Sequence, residues 1–269
     1  MEDEKFAEQV KEIILYSTTK NTSADNEDTN ELIKSGSKTF TTLDGYKNRL
    51  TDENKKVLYS TDEVSQSTAL NMWTSQGKEV LKLDTVIDTQ FIPWLEEKNK
   101  EINFVRVDSE LDESIKDDSP EIADKDGNTK SETLKKMISS ALNNEKVTVQ
   151  VQSLKGENSP PSLILLPEQM RRINDITALM EQKLPGLPEY HNLIVNSNHP
   201  LIQGLLKLNS NPIVIEGSSK SEEGQLASDI AIHVYEMAKL SIGGLENKDI
   251  AAFQTRNAEV LGKLMQKFV

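Results

Sequence analysis

The chain has no cysteine and only three histidines in 269 residues. The first absence excludes disulfides, thiolate metal sites and cysteine nucleophiles. The histidines, His191, His199 and His233, are not spaced as metal ligands. His199 reads as a helix-entry residue beside Pro200, and His233 borders an apolar stripe. Basic residues are also in short supply: 31 Lys and Arg stand against 44 Asp and Glu, a formal net charge of -13. That balance argues against a nucleic-acid or anionic-membrane partner. Long hydrophobic runs are missing, the longest lying around Leu163 to Leu166, far short of the roughly 20 residues that span a bilayer. The start, Met1-Glu2-Asp3-Glu4, is the reverse of a basic signal-peptide opening. A soluble, cytoplasmic chain is expected. No glycine loop follows a strand in a way that would cradle phosphate: Gly77 precedes a strand, Gly156 lies in a polar turn, and Gly243-Gly244 separates two helices. No catalytic residue, metal or cofactor is assigned to the chain.

What is present suffices for two domains. A first helix (Phe6, Val10, Ile13, Ile14) has no obvious core of its own, which suggests a piece of something larger. Residues 18–42 turn polar and read as an exposed loop. Thr42 then caps a short helix over Leu43–Leu50. Strand and helix signals alternate after it: a strand over Val57–Ser60, a helix over Glu63–Gln76, a strand over Glu79–Leu83, a helix over Thr89–Lys98 and a strand over Asn103–Val107. This order implies a small three-stranded parallel α/β/α unit over 43–108, closing a first domain of 1–108. Residues 109–130 carry eight acidic and three basic side chains and read as a linker. The second domain, 131–269, is expected to be α+β: helix Ser131–Asn143, strand Val147–Ser153, strand Ser162–Leu166, helix Glu168–Lys183, strand His191–Asn196 and helix Pro200–Leu208.

A helical hairpin ends the chain. From Glu223 to Ile242, Leu226, Ala227, Ile230, Ala231, Val234, Met237 and Ala238 form a stripe at helical spacing. After Gly243-Gly244 and a capping Asn247, a second stripe runs through Ile250, Phe253, Val260, Leu261, Leu264 and Phe268. Two such faces point to a homodimer closed by an intermolecular four-helix bundle; the alternative is a hairpin packed on its own domain. Asn257, inside the second stripe, either pairs across a two-fold axis or bonds locally. Soft apolar side chains fall on the remaining helices: Met72, Trp73 and Trp94, and then Met170 and Met180, which share a line with Ile173. They serve either as core or as adaptable contacts.

Short motifs recur in a fixed order: Thr42-Leu43-Asp44-Gly45-Tyr46 leading to Arg49; Lys55-Lys56-Val57-Leu58-Tyr59-Ser60-Thr61; Gly77-Lys78-Glu79-Val80-Leu81 with Ile87-Asp88; Asn158-Ser159-Pro160; Met170-Arg171-Arg172-Ile173; Asn196-Ser197-Asn198-His199-Pro200-Leu201-Ile202; and a closing helix with Phe253 and Arg256. Together they resemble the ninety-kilodalton heat-shock protein chaperone family in its bacterial form, over nearly the whole chain. The resemblance implies the end of the middle domain plus the C-terminal dimerisation domain. ATP and Mg would bind in a missing N-terminal domain, so the chain alone would not be an ATPase. It further implies a homodimer that contacts partly folded client proteins through Met170, Ile173, Phe91 and Trp94. Gln90 departs from the aromatic found in some relatives. The chain lacks the acidic peptide tail of eukaryotic members, so tail-docking co-chaperones are not implied. The competing expectation is an unrelated two-domain α/β enzyme or binding protein of the cytosol.

Overall fold

A computed structural model describes residues 13–20, 32–50, 55–111, 115–117, 129–156, 159–166, 190–209, 222–245 and 247–266. The helix expected near Phe6, the helix over Glu168–Lys183 with Met170 and Ile173, and Phe268 lie outside these residues. The chain divides into two compact units between Glu110 and Leu111.

In unit 1 the elements run β1 (Tyr16–Thr18), β2 (Leu32–Ser35), β3 (Lys38–Thr41), α1 (Leu43–Asn48), β4 (Lys56–Ser60), α2 (Ser67–Ser75), β5 (Leu81–Lys82), α3 (Val86–Lys98) and β6 (Asn103–Arg106). They build one six-stranded sheet ordered β2-β3-β1-β5-β4-β6. Strand β4 pairs in parallel with both β5 and β6, with Tyr59 opposite Leu81 on one side and Arg106 on the other. Its Val57, Leu58 and Tyr59 are buried, as a central strand covered on both faces requires.

The sheet corrects the three-strand expectation. Strand β1 runs antiparallel to β5 and β3, and β3 pairs antiparallel with β2. Half of the sheet therefore comes from residues expected to be helix end and loop. The reason is chemical. Thr18, Thr39 and Thr41 are three of the four buried residues of β1 and β3, the fourth being Tyr16, so the period-two pattern is written mostly in threonine instead of aliphatic side chains. Gly36, with φ of +62°, occupies the first central position of the two-residue turn between Ser35 and Lys38, where only a residue without Cβ is unstrained.

A polar knot ties this added wing to the parallel strands. Glu79 accepts from Arg49 at 3.0 and 2.9 Å and from the Thr18 hydroxyl at 2.7 Å, while Arg49 also donates to Thr41 Oγ1 at 2.8 Å. Helix α1 is capped by Thr42, whose Oγ1 accepts from the Gly45 N–H at 3.1 Å. Thr85 and Asp88 form a reciprocal capping box that starts α3. On α2, the Trp73 indole donates to the Val107 carbonyl at 2.9 Å. One residue to either side, Arg106 grips Asp108 through two bonds of 2.5 and 2.9 Å, with both side chains buried.

Unit 2 contains α4 (Lys130–Leu142), β7 (Val147–Gln152), β8 (Ser162–Leu165), β9 (His191–Asn196), α5 (Pro200–Asn209), α6 (Glu222–Ser241) and α7 (Asn247–Gln266). Its sheet is ordered β7-β9-β8, with β7 parallel and β8 antiparallel to β9. Leu193 and Val195 from β9, Ile138 from α4 and Ile202 from α5 meet in one core. The acidic stretch is not a free linker throughout: Ile115 is 0% exposed, and its carbonyl accepts from the Lys155 N–H at 2.9 Å. A single apolar side chain between acidic neighbours is enough to dock the backbone there. Asn196 organises the turn after β9, its Oδ1 accepting from Leu154 N–H and Asn198 N–H, both at 3.1 Å. His199 opens α5 by accepting from the Leu201 N–H on Nδ1 at 3.1 Å.

Candidate self-association surface

Helix α6 spends its apolar stripe inside the chain. Leu226, Ala227, Ile230, Ala231, Val234 and Ala238 join the core of unit 2, and the Ser162 hydroxyl on β8 donates to the Val234 carbonyl at 2.9 Å. Val234 is 0% exposed. Leu226, Ile230 and Val234, expected at a dimer interface, therefore have no surface left for a partner. Val260 on α7 is likewise buried in the same core. Periodicity correctly marks a buried face but not what buries it. The opposite edge of α6 carries a stacked pair: the Tyr235 and His191 rings lie 5.8 Å apart, and the Tyr235 hydroxyl is 2.9 Å from His191 Nε2. Burial pushes the Tyr235 hydroxyl up to about 12, with Glu236 adding to the shift.

Helix α7 is held differently. Asp249, Phe253, Arg256 and Lys263 meet α6 side chains and Val260 joins the core that α6 shares, a spacing of four, three, four and three that defines one helical seam. The seam alternates charge and apolar groups. Lys239 Nζ lies 3.9 Å from Asp249 Oδ2, Arg256 pairs with Glu236, and Lys263 Nζ lies 2.7 Å from Asp229 Oδ2. Between these rungs the Phe253 ring stacks on His233 at 5.4 Å and an interplanar angle of 9°. The His233 Nδ1 and Glu236 Oε2 atoms are both buried without a hydrogen-bond partner. Desolvation lowers the His233 pKa below its usual 6.5; Arg256 works in the same direction and Glu236 against it.

Apolar side chains off this seam remain uncovered. Leu261 is 54% and Met265 63% exposed, and Met237 and Leu240 near the turn are exposed as well. Among the described residues of α7, Val260 alone is buried. Ile250 and Asn257 are half-buried beside the seam. The charged rungs escaped the sequence reading, although the seven-residue spacing of Asp249, Arg256 and Lys263 was a signal for them.

The expected client contacts fare unevenly. Phe91 is only 6% exposed and belongs to the core of unit 1, so its expected role as a surface contact is corrected: α3 turns it inward beneath Trp94, ring on ring at 5.1 Å. Trp94 is partly buried, with Lys98 Nζ 5.9 Å from its ring. Among the described residues there is no group of three or more His, Asp or Glu side chains placed to hold a metal. Nor is any described helix long and apolar enough to cross a membrane.

Comparison with known proteins agrees with the motif order. The chaperone protein HtpG of Porphyromonas gingivalis is 31% identical over 191 residues, covering 62% of this chain and 27% of that protein. HtpG of Bacteroides fragilis is 30% identical over 167 residues, 60% of this chain and 24% of its own length. HtpG of Bacteroides thetaiotaomicron is 28% identical over 218 residues, 76% and 29% respectively. The chain thus spans about a quarter of the length of the relatives it matches. The family model described as Hsp90 protein matches residues 2–267, and the chain belongs to that family.

Proposed function

We propose that this chain provides the self-association module and part of the client-contacting surface of an ATP-dependent, HtpG-like chaperone. The observation that carries this reading is the lopsided attachment of α7: a 20-residue helix with a charged seam on α6 and exposed Leu261 and Met265 elsewhere. A second copy is the occupant that fits, because a two-fold axis would bring the uncovered side chains of both hairpins together. Four apolar side chains per copy, each about half exposed, contribute about 0.7–1.5 kcal/mol each when the rest of their surface is covered. For a pair of copies that is of the size needed to offset an association cost of about 4–15 kcal/mol. The interface is therefore smaller than one built from the whole α6 stripe.

Client contact rests on the family and on Trp94, whose partly buried ring is the remaining accessible aromatic of the expected pair. ATP and Mg would belong to a nucleotide site outside this chain, consistent with the absence from the sequence of a phosphate-cradling glycine loop. In cells such a protein would act in the cytoplasm, in protein folding and the stress response. Sedimentation of the full chain and of a version ending at Asn247 tests the central point. A dimer that becomes a monomer on truncation is expected; a monomeric full chain would overturn the proposal. ATP turnover by the full chain is expected to be indistinguishable from buffer, and measurable turnover would contradict the placement of the nucleotide site.

A further inference from the structure

Two complementary groups lie unused within the α6–α7 seam. His233 Nδ1 and Glu236 Oε2 sit one helical turn apart on α6, each buried and without a hydrogen-bond partner. The other carboxylate oxygen of Glu236 accepts from Arg256 on α7, and His233 stacks on Phe253 of the same helix. The charged groups bearing on the imidazole are thus Glu236 from its own helix and Arg256 from the facing one. The next rung, Asp229 with Lys263, is a separate pair. A neutral imidazole suits this setting, because its ring is an apolar partner for Phe253 and adds no charge beside Arg256.

We propose that protonation of His233 sets a second cation against Arg256 within the seam, loosens α7 from α6, and so makes self-association weaken in mild acid. The step adds one proton per copy and makes or breaks no covalent bond. The imidazolium is desolvated in the seam and its charge repels Arg256, and the carboxylate of Glu236 offsets this only in part. The sign follows from the depressed basicity: docking is fully stabilised above the ordinary histidine range near 6.5 and is lost as the pH falls through the lower folded value. The self-association part of this inference rests on the function proposed above, whereas the loosening of α7 does not.

The test uses the full 269-residue chain. Its dimer dissociation constant, measured by sedimentation, is expected to rise about tenfold between about pH 7.5 and about pH 5.5. In His233→Phe, which keeps a ring against Phe253 but cannot titrate, the rise should disappear. His191 and His199 remain in that variant, so an undiminished rise would assign the effect elsewhere and overturn the inference. Amide hydrogen exchange, corrected for its intrinsic pH dependence, follows α7 independently of assembly. Acid should lower protection along α7 in the parent and not in His233→Phe. If the parent is monomeric at every pH but shows this loss of protection, the dimer reading fails and the switch stands; if protection is unchanged by acid, the switch fails.

Discussion

Leu261→Asp combined with Met265→Asp is expected to turn a dimer into a folded monomer, raising the dissociation constant by about a hundredfold or more, equivalent to about 2.8 kcal/mol. Both side chains are more than half exposed in the single chain, so charging them should change folding stability by no more than about 0.5 kcal/mol. Val234→Asp, on the facing helix, should do the reverse. Its side chain is 0% exposed within the core of unit 2, and a carboxyl group there has no partner, so a loss of about 4–5 kcal/mol or more is expected. Sedimentation and thermal unfolding of both variants read the contrast. Because each copy already carries a net charge of -13, Leu261→Ser with Met265→Ser separates lost apolar area from added repulsion: it should still dissociate the dimer. Unfolding of the Leu261/Met265 variants, or an intact dimer in both, would remove α7 as the contact surface.

The second large effect concerns unit 1. Arg106→Met should destabilise it by about 3–5 kcal/mol, because it strands the buried Asp108 carboxylate that now receives two hydrogen bonds from the guanidinium. Replacing both partners, Arg106→Met with Asp108→Leu, should recover most of that loss, since the desolvation cost of both charges disappears together. Denaturant titration monitored by tryptophan fluorescence is well suited, because Trp73 donates to Val107 between the two residues. A double variant as unstable as the single one would mean that the pair positions the chain after β6 and does more than neutralise buried charge.

These outcomes depend on differences between what periodicity says and what packing does. The parallel strands β4, β5 and β6 and the helices between them were legible because most of their buried residues are aliphatic or aromatic. The antiparallel wing was not, since Thr18, Thr39 and Thr41 fill three of the four buried positions of β1 and β3, and threonine is as much a loop residue as a strand residue until a partner strand is known. The α6 stripe was read correctly as buried and wrongly as intermolecular. Its true partner, the β7-β9-β8 sheet with α4 and α5, is assembled from segments spread between Lys130 and Asn209. Phe91 failed for a related reason: a helix sequence does not say which of two neighbouring aromatic rings lies underneath.

The alternation of charge and apolar groups along the α6–α7 seam gives the two sides of one helix opposite responses to the solvent. Simple salts screen the rungs Lys239–Asp249, Glu236–Arg256 and Asp229–Lys263 and so relax the grip of α7 on its own chain. Strongly excluded salts such as sulfate, by contrast, favour covering Leu261 and Met265. Chloride and sulfate at equal ionic strength therefore act on this helix as separate controls, one on how firmly it is held from within and the other on how strongly it seeks cover from without.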